Sequence, residues 1–176
     1  MAFDNFANTL YWADAERCTI EVYSFNTQHR AIVHHYMGGQ RPIGLAVIPE
    51  KGKLYVAIRS KTHTYIDTMP SNGHGTHHHL LKDEMGGGPV SMLPDHQLQE
   101  IFMTDYEHSS IKYMSFSGDV YHTFIHDTDT PVSLALIGDE LFWSISKSLE
   151  LYWTPTHTMA GTKSMTIEYL RTLPLP

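Results

Sequence analysis

The chain has 176 residues, of which 41% are apolar and 11% aromatic, enough for a sizeable packed core in one domain and too much for a disordered chain. Its formal charge is -7, and its twelve Lys and Arg are scattered with no basic stripe, which argues against a nucleic-acid partner. No apolar run reaches the roughly 18 residues that a membrane-crossing helix needs, so no direct membrane insertion is expected. The opening MAFDNFANTLYW has neither the basic nor the apolar region of a signal peptide, and the single Cys18 can form no internal disulfide.

In chain order the predicted elements are short strands. LAVIP, KLYVAI, IFMTD, IKYMSF, LALI and ELFWSI are rich in β-branched and aromatic residues and are bounded by Gly, Pro, Asp or Asn. The fold class is all-β. The strands also recur. Proline-led segments start at Pro42, Pro89 and Pro131, spaced by 47 and 42 residues, and the approach MGGQRP at Met37 returns as MGGGP at Met85. Each segment runs through a small residue, an apolar strand, a polar turn and an aromatic-centred strand. Residues 9–33 match the later part of the same unit.

A period of about 40 to 45 residues with four short strands is the signature of a propeller blade, whose two faces are hidden only by neighbouring blades. This frame predicts a partial blade with strands two to four at 9–33 and further blades at 42–81, 89–125 and 131–169. Together they make about 3.75 blades of one propeller domain. The Leu151 LYWT falls on a third strand and is not a further repeat start. Gly86, Gly87 and Gly88 precede a proline and a strand, so they are expected to link blades and not to cradle a phosphate.

Tyr11-Trp12-Ala13-Asp14, Phe102-Met103-Thr104-Asp105 and Phe142-Trp143-Ser144-Ile145 resemble the YWTD tetrapeptide of low-density-lipoprotein-receptor class B repeats. Thr19-Ile20-Glu21-Val22 and Ile111-Lys112-Tyr113 fit that unit's third strand, and Ser117-Gly118-Asp119 the turn after it. Tyr55-Val56-Ala57-Ile58 keeps only the aromatic, so its blade is expected to be the least regular.

The resemblance implies an incomplete YWTD-type β-propeller taken from a six-bladed ring of about 250 residues at this period, with Tyr11, Trp12, Asp14, Phe102, Thr104, Asp105, Phe142 and Trp143 in structural roles. Trp12 and Trp143 should lie buried between sheets. It further implies a non-catalytic fragment of a lipoprotein or yolk-protein (vitellogenin, lipophorin) endocytic receptor, extracellular or endosomal, from a single-pass membrane protein. Its partners would be protein ligands and the receptor's own cysteine-rich modules, and its task ligand release on acidification. An ectodomain of a Wnt co-receptor or sevenless-like receptor is the alternative, and a catalytic or metal-binding propeller is the alternative of another class. Enzyme and phosphate-binding motifs are missing, and no cofactor is implied.

The stretch NGHGTHHHLL at Asn72 carries His74, His77, His78 and His79. In the blade frame it covers a turn and the outermost strand, Thr76–Leu81, with His77 and His79 on one face and His78 on the other. Metal binding, a polar strand edge and proton sensing are the three readings, and the four imidazoles are the candidate pH-sensing set. An unperturbed histidine titrates near pH 6.5, so at about pH 5.5 the thirteen histidines would add about +12 and turn the net charge to about +5.

Overall fold

The structure is a computed structural model that describes residues 1–82, 89, 91–147, 150–157 and 163–166. Four antiparallel four-stranded sheets follow one another along the chain, each a simple meander. Blade 1 comprises β1 (Ala2–Asp4), β2 (Thr9–Asp14), β3 (Thr19–Ser24) and β4 (His29–His35). Blade 2 comprises β5 (Arg41–Ile48), β6 (Lys53–Arg59), β7 (Thr64–Pro70) and β8 (His78–Lys82). Blade 3 has β9 (Met92–Asp95), β10 (Glu100–Asp105), β11 (Ser110–Ser115) and β12 (Tyr121–Ile125). Blade 4 has β13 (Pro131–Ile137), β14 (Glu140–Ile145), β15 (Glu150–Pro155) and β16 (Lys163–Thr166). The expected antiparallel pairing of Leu45–Ile48 with Leu54–Ile58 is present, with Leu45 opposite Val56 and Val47 opposite Leu54.

Blade 1 departs from the expected three strands. Ala2–Asp4 pairs with β2, Ala2 opposite Tyr11, and supplies a three-residue first strand. It has no proline-led signal, so only the pairing reveals it. The Gly86-Gly87-Gly88 link and the end of the last expected blade, beyond Thr166, lie outside the described residues.

Strand alternation builds the core between sheets and not within one. In β6, Leu54, Val56 and Ile58 pack with Tyr11, Ile20 and Tyr36 of blade 1. Tyr55 and Ala57, pointing the other way, pack with Met92, Ile101, Met103 and Phe116 of blade 3. Both faces of blade 2 are therefore covered, and a strand covered on both faces reads as continuous apolar sequence. This explains the departure of Tyr55-Val56-Ala57-Ile58 from the repeat. The blade carries two register irregularities where each other sheet carries one, yet it has the longest strands and the deepest burial.

The same rule decides the tryptophans. Trp143 faces blade 3, packs with Phe102 and Leu134, and is buried. Trp12 occupies the equivalent place in blade 1, where no sheet among the described residues covers that face. It is only half-buried, with the Arg30 guanidinium 5.2 Å from its ring centroid. Phe142 points away from blade 3, is half-buried, and stacks on Trp153.

Aspartates close the turns. Asp4 and Asp95 each accept two backbone N–H groups between strands one and two, from Phe6 and Ala7 and from Gln97 and Leu98. Asp14 does the same between strands two and three for Glu16 and Arg17, and Asp105 accepts the His108 N–H. Burial pushes the Asp105 carboxyl up, but Lys112 Nζ at 2.7 Å and His108 Nδ1 at 2.8 Å outweigh it and hold the group below the ordinary carboxylate range. Thr104, fully buried, accepts the Ser91 N–H.

Glycines let the outer turns of blades 2 and 3 lie on the preceding blade. Gly73, at φ +75, approaches blade 1 so closely that a Cβ would stand 2.3 Å from the Val33 carbonyl oxygen. Gly118, at φ +86, sits in the same place on blade 3, against Leu80 of blade 2. The seam between blades 2 and 3 is also pinned by the buried Tyr55 hydroxyl donating to the Phe116 carbonyl at 2.6 Å and by His96 against Glu50 at 2.7 Å.

Candidate functional site

The histidine-rich stretch is a seam and not only a solvated edge. Alternation in β7 sends Asp67 toward blade 1, and a register irregularity between Ile66 and Asp67 sets it opposite His79 of β8 and Val56 of β6. The Asp67 side chain is 3% exposed. His77 Nδ1 lies 3.7 Å from its Oδ2 and His79 Nδ1 3.6 Å from its Oδ1, both just beyond hydrogen-bond reach. The Tyr36 hydroxyl, from the connection leaving blade 1, donates weakly to Oδ2 at 3.4 Å, while Oδ1 receives no hydrogen bond.

His34 of β4 completes the cluster from the neighbouring blade. Its ring centroid is 4.4 Å from that of His77 and 4.5 Å from that of Tyr36. His79 meets Tyr65 edge-on at 4.8 Å, beside a cavity of about 160 Å³ lined by Gln40, His63, Tyr65 and His79.

The electrostatics follow from burial. Desolvation raises the Asp67 carboxyl above its ordinary value, and His79, His77, Tyr36 and His34 reverse this only in part. Desolvation, followed by the nearness of His77, lowers His34. Burial and the Asp67 charge push the Tyr36 hydroxyl up. Among the described residues no three His, Cys, Asp or Glu side chains are placed to hold a metal ion.

Of the four candidate histidines, the structure brings His77 and His79 to one carboxylate, on the shared face that alternation predicts. His74 and His78 stay exposed, with the His74 backbone N–H donated to the Asn72 side chain, and His79 too keeps 66% of its side chain exposed while it faces Asp67. Asp67, His34 and Tyr36 were not among the candidates. One signal for Asp67 is in the repeat: it follows a buried Ile on strand three, as do Glu21 and Lys112, and all three charged side chains are buried.

No family model matches the chain. It is 36% identical over 167 residues to the vitellogenin receptor Yl of Drosophila melanogaster and 29% identical over 180 residues to the vitellogenin receptor of Solenopsis invicta. These alignments cover 95% and 96% of this chain but only 8% and 9% of the relatives, so the chain spans less than a tenth of their length. Among solved structures, a chain of the nidogen/laminin complex matches with a TM-score of 0.76 at 18% identity, over 92% of this chain and 61% of that one. Hydrazine synthase of Kuenenia stuttgartiensis matches with a TM-score of 0.70 at 12% identity, over 94% of this chain and 48% of that one. At such identities these matches speak for the fold alone, a fold that can host unrelated functions. No helix among the described residues is long and apolar enough to cross a membrane. Along nearly its whole length the chain is similar to a stretch of insect vitellogenin receptors, and its repeat and fold are those of an incomplete YWTD-type β-propeller.

Proposed function

We propose that the chain forms part of the extracellular propeller of an endocytic receptor for yolk protein or lipoprotein, acting through protein contacts and not catalysis, and that acid changes those contacts so that cargo is released. The 36% identity to a vitellogenin receptor over 95% of the chain carries this reading. Charge supports the acid step. Residues 1–82 hold eight Lys and Arg against six Asp and Glu, together with eight of the thirteen histidines; the remainder holds four against thirteen. Protonation near pH 5.5 therefore makes blades 1 and 2 strongly cationic while the later blades stay acidic, which directs an acidic partner, such as the receptor's own cysteine-rich modules, to the first half.

The test replaces His74, His77, His78 and His79 with Gln in a complete propeller and titrates binding of those modules from pH 7.5 to 5. The proposal expects acid-induced binding that the replacement weakens several-fold. No acid-induced binding by the unaltered propeller would overturn the release reading, and an undiminished response in the variant would remove these four histidines from it.

A further inference from the structure

A buried carboxylate with one oxygen lacking a hydrogen bond, two imidazoles held just out of reach of it, and a third imidazole stacked on one of these from the adjacent blade form an unusual boundary between two sheets. Other blade boundaries in the chain are sealed differently, by the Tyr55 hydroxyl on Phe116 between blades 2 and 3 and by Phe102 and Trp143 between blades 3 and 4. We infer that the boundary between blades 1 and 2 is a proton-operated latch: the first proton ties His77 or His79 to Asp67 within blade 2, and further protons set imidazolium His77 against imidazolium His34 and part β4 from blade 2.

The two steps follow from the count of charges. With all imidazoles neutral the boundary holds one buried negative charge, met only by the Tyr36 hydroxyl. One proton makes it neutral and turns a gap of 3.6 or 3.7 Å into a charge-assisted hydrogen bond. A second proton makes the boundary net positive. At a ring separation of 4.4 Å, in surroundings with an effective dielectric of about 20, the repulsion of His34 and His77 is several times thermal energy. Burial already disfavours charge on His34, so this proton is taken up most easily when β4 moves off blade 2 and water reaches the ring.

From β4 and the connection after it come His34, His35 and Tyr36, from β7 Tyr65 and Asp67, and from the β8 side His77 and His79. From the turn between β6 and β7, His63 reaches the same boundary, 5.8 Å from the Tyr65 ring and in the cavity that His79 lines. β6 offers the uncharged Val56 opposite Asp67. The contact under strain is narrow, because Gly73 rests directly on Val33, the residue before His34. The latch depends on this geometry and holds whether or not the chain serves a receptor.

Hydrogen exchange of the 176-residue chain at pH 7.5 and 5.5, corrected for intrinsic rates and compared segment by segment, reads the latch. Protection of β4 and β8 should fall by about tenfold or more at pH 5.5 while β10 and β11 change little, since a few RT of repulsion acts only at this boundary. His34→Gln should remove most of that fall, and His78→Gln, which alters an exposed ring on the other face, should keep it. Asp67→Asn removes the counter-charge and should move the loss of protection to higher pH. Equal protection of β4 and β8 at both pH values, or a His34→Gln response identical to that of His78→Gln, would overturn the latch. Loss of the pH response on adding EDTA would also overturn it, because protons would then act by displacing a bound cation.

Discussion

The sharpest test of how the blades lock concerns one missing methyl group. In Gly73→Ala the new Cβ would stand 2.3 Å from the Val33 oxygen and 3.1 Å from the Val33 carbonyl carbon and Cγ1, on a backbone at φ +75. Gly138→Ala is the matched control, since Gly138 has φ +58 and nothing within 4 Å of the added carbon. The left-handed backbone costs alanine about 1–2 kcal/mol, offset in part by about 0.4–1 kcal/mol from a stiffer unfolded chain, so Gly138→Ala should lose about 1 kcal/mol or less. Gly73→Ala bears the same backbone cost and must also lift a turn off a neighbouring blade, an overpacking penalty of about 1–3 kcal/mol, for a total of about 2–4 kcal/mol. Gly118→Ala should fall between them, because its neighbour is the Leu80 side chain, which can yield. Urea unfolding followed by tryptophan fluorescence measures all three. A Gly73→Ala loss no larger than that of Gly138→Ala would refute the close packing of the histidine-rich turn on blade 1.

Tyr55→Phe, which deprives the buried Phe116 carbonyl of its donor, should cost about 1–3 kcal/mol in the same assay. Lys112→Met leaves the buried Asp105 with His108 as its remaining partner and should cost about 1–3 kcal/mol. The depressed Asp105 carboxyl contributes stability that is complete above its ordinary value of 3.8 and is lost as pH falls through its lower folded value, so Asp105→Asn should flatten the stability curve below about pH 4. His34 has the corresponding sign for a base: its lowered folded value means that the unfolded chain binds the proton first, so stability falls with acid below about pH 6.5. His34→Gln should remove that part of the slope. Asp67 is raised and acts oppositely, its burial being unfavourable above its folded value, and Asp67→Asn should leave stability at pH 7.5 unchanged or higher.

Much of the fold was legible because its signals are local. Proline-led strands, the aromatic centre of each second strand and the Asp-closed turns each occupy a few consecutive residues, and a period near 45 residues arranges them into blades. Strand alternation even placed His77 and His79 on one face. What escaped is what lies between blades. Nothing adjacent in sequence shows that His34 meets His77 or that Asp67 loses its water, because 43 residues separate the two rings and the carboxylate is buried only when two sheets meet. Trp12 misled for the same reason, since its strand resembles that of Trp143 but its face has no neighbouring sheet among the described residues. The opening strand Ala2–Asp4 is too short to announce itself and exists through its pairing with β2.

A double-mutant cycle between His34 and His77, each replaced by Ala, run by urea unfolding at pH 7.5 and pH 5.5, tests most directly whether NGHGTHHHLL belongs to a blade boundary that responds to protons. A proton-operated latch requires a coupling near zero or favourable at pH 7.5, from two neutral rings in contact, and an unfavourable coupling of about 1 kcal/mol or more at pH 5.5. Additivity within about 0.3 kcal/mol at both pH values would contradict it, because it would mean that the two imidazoles do not sense each other.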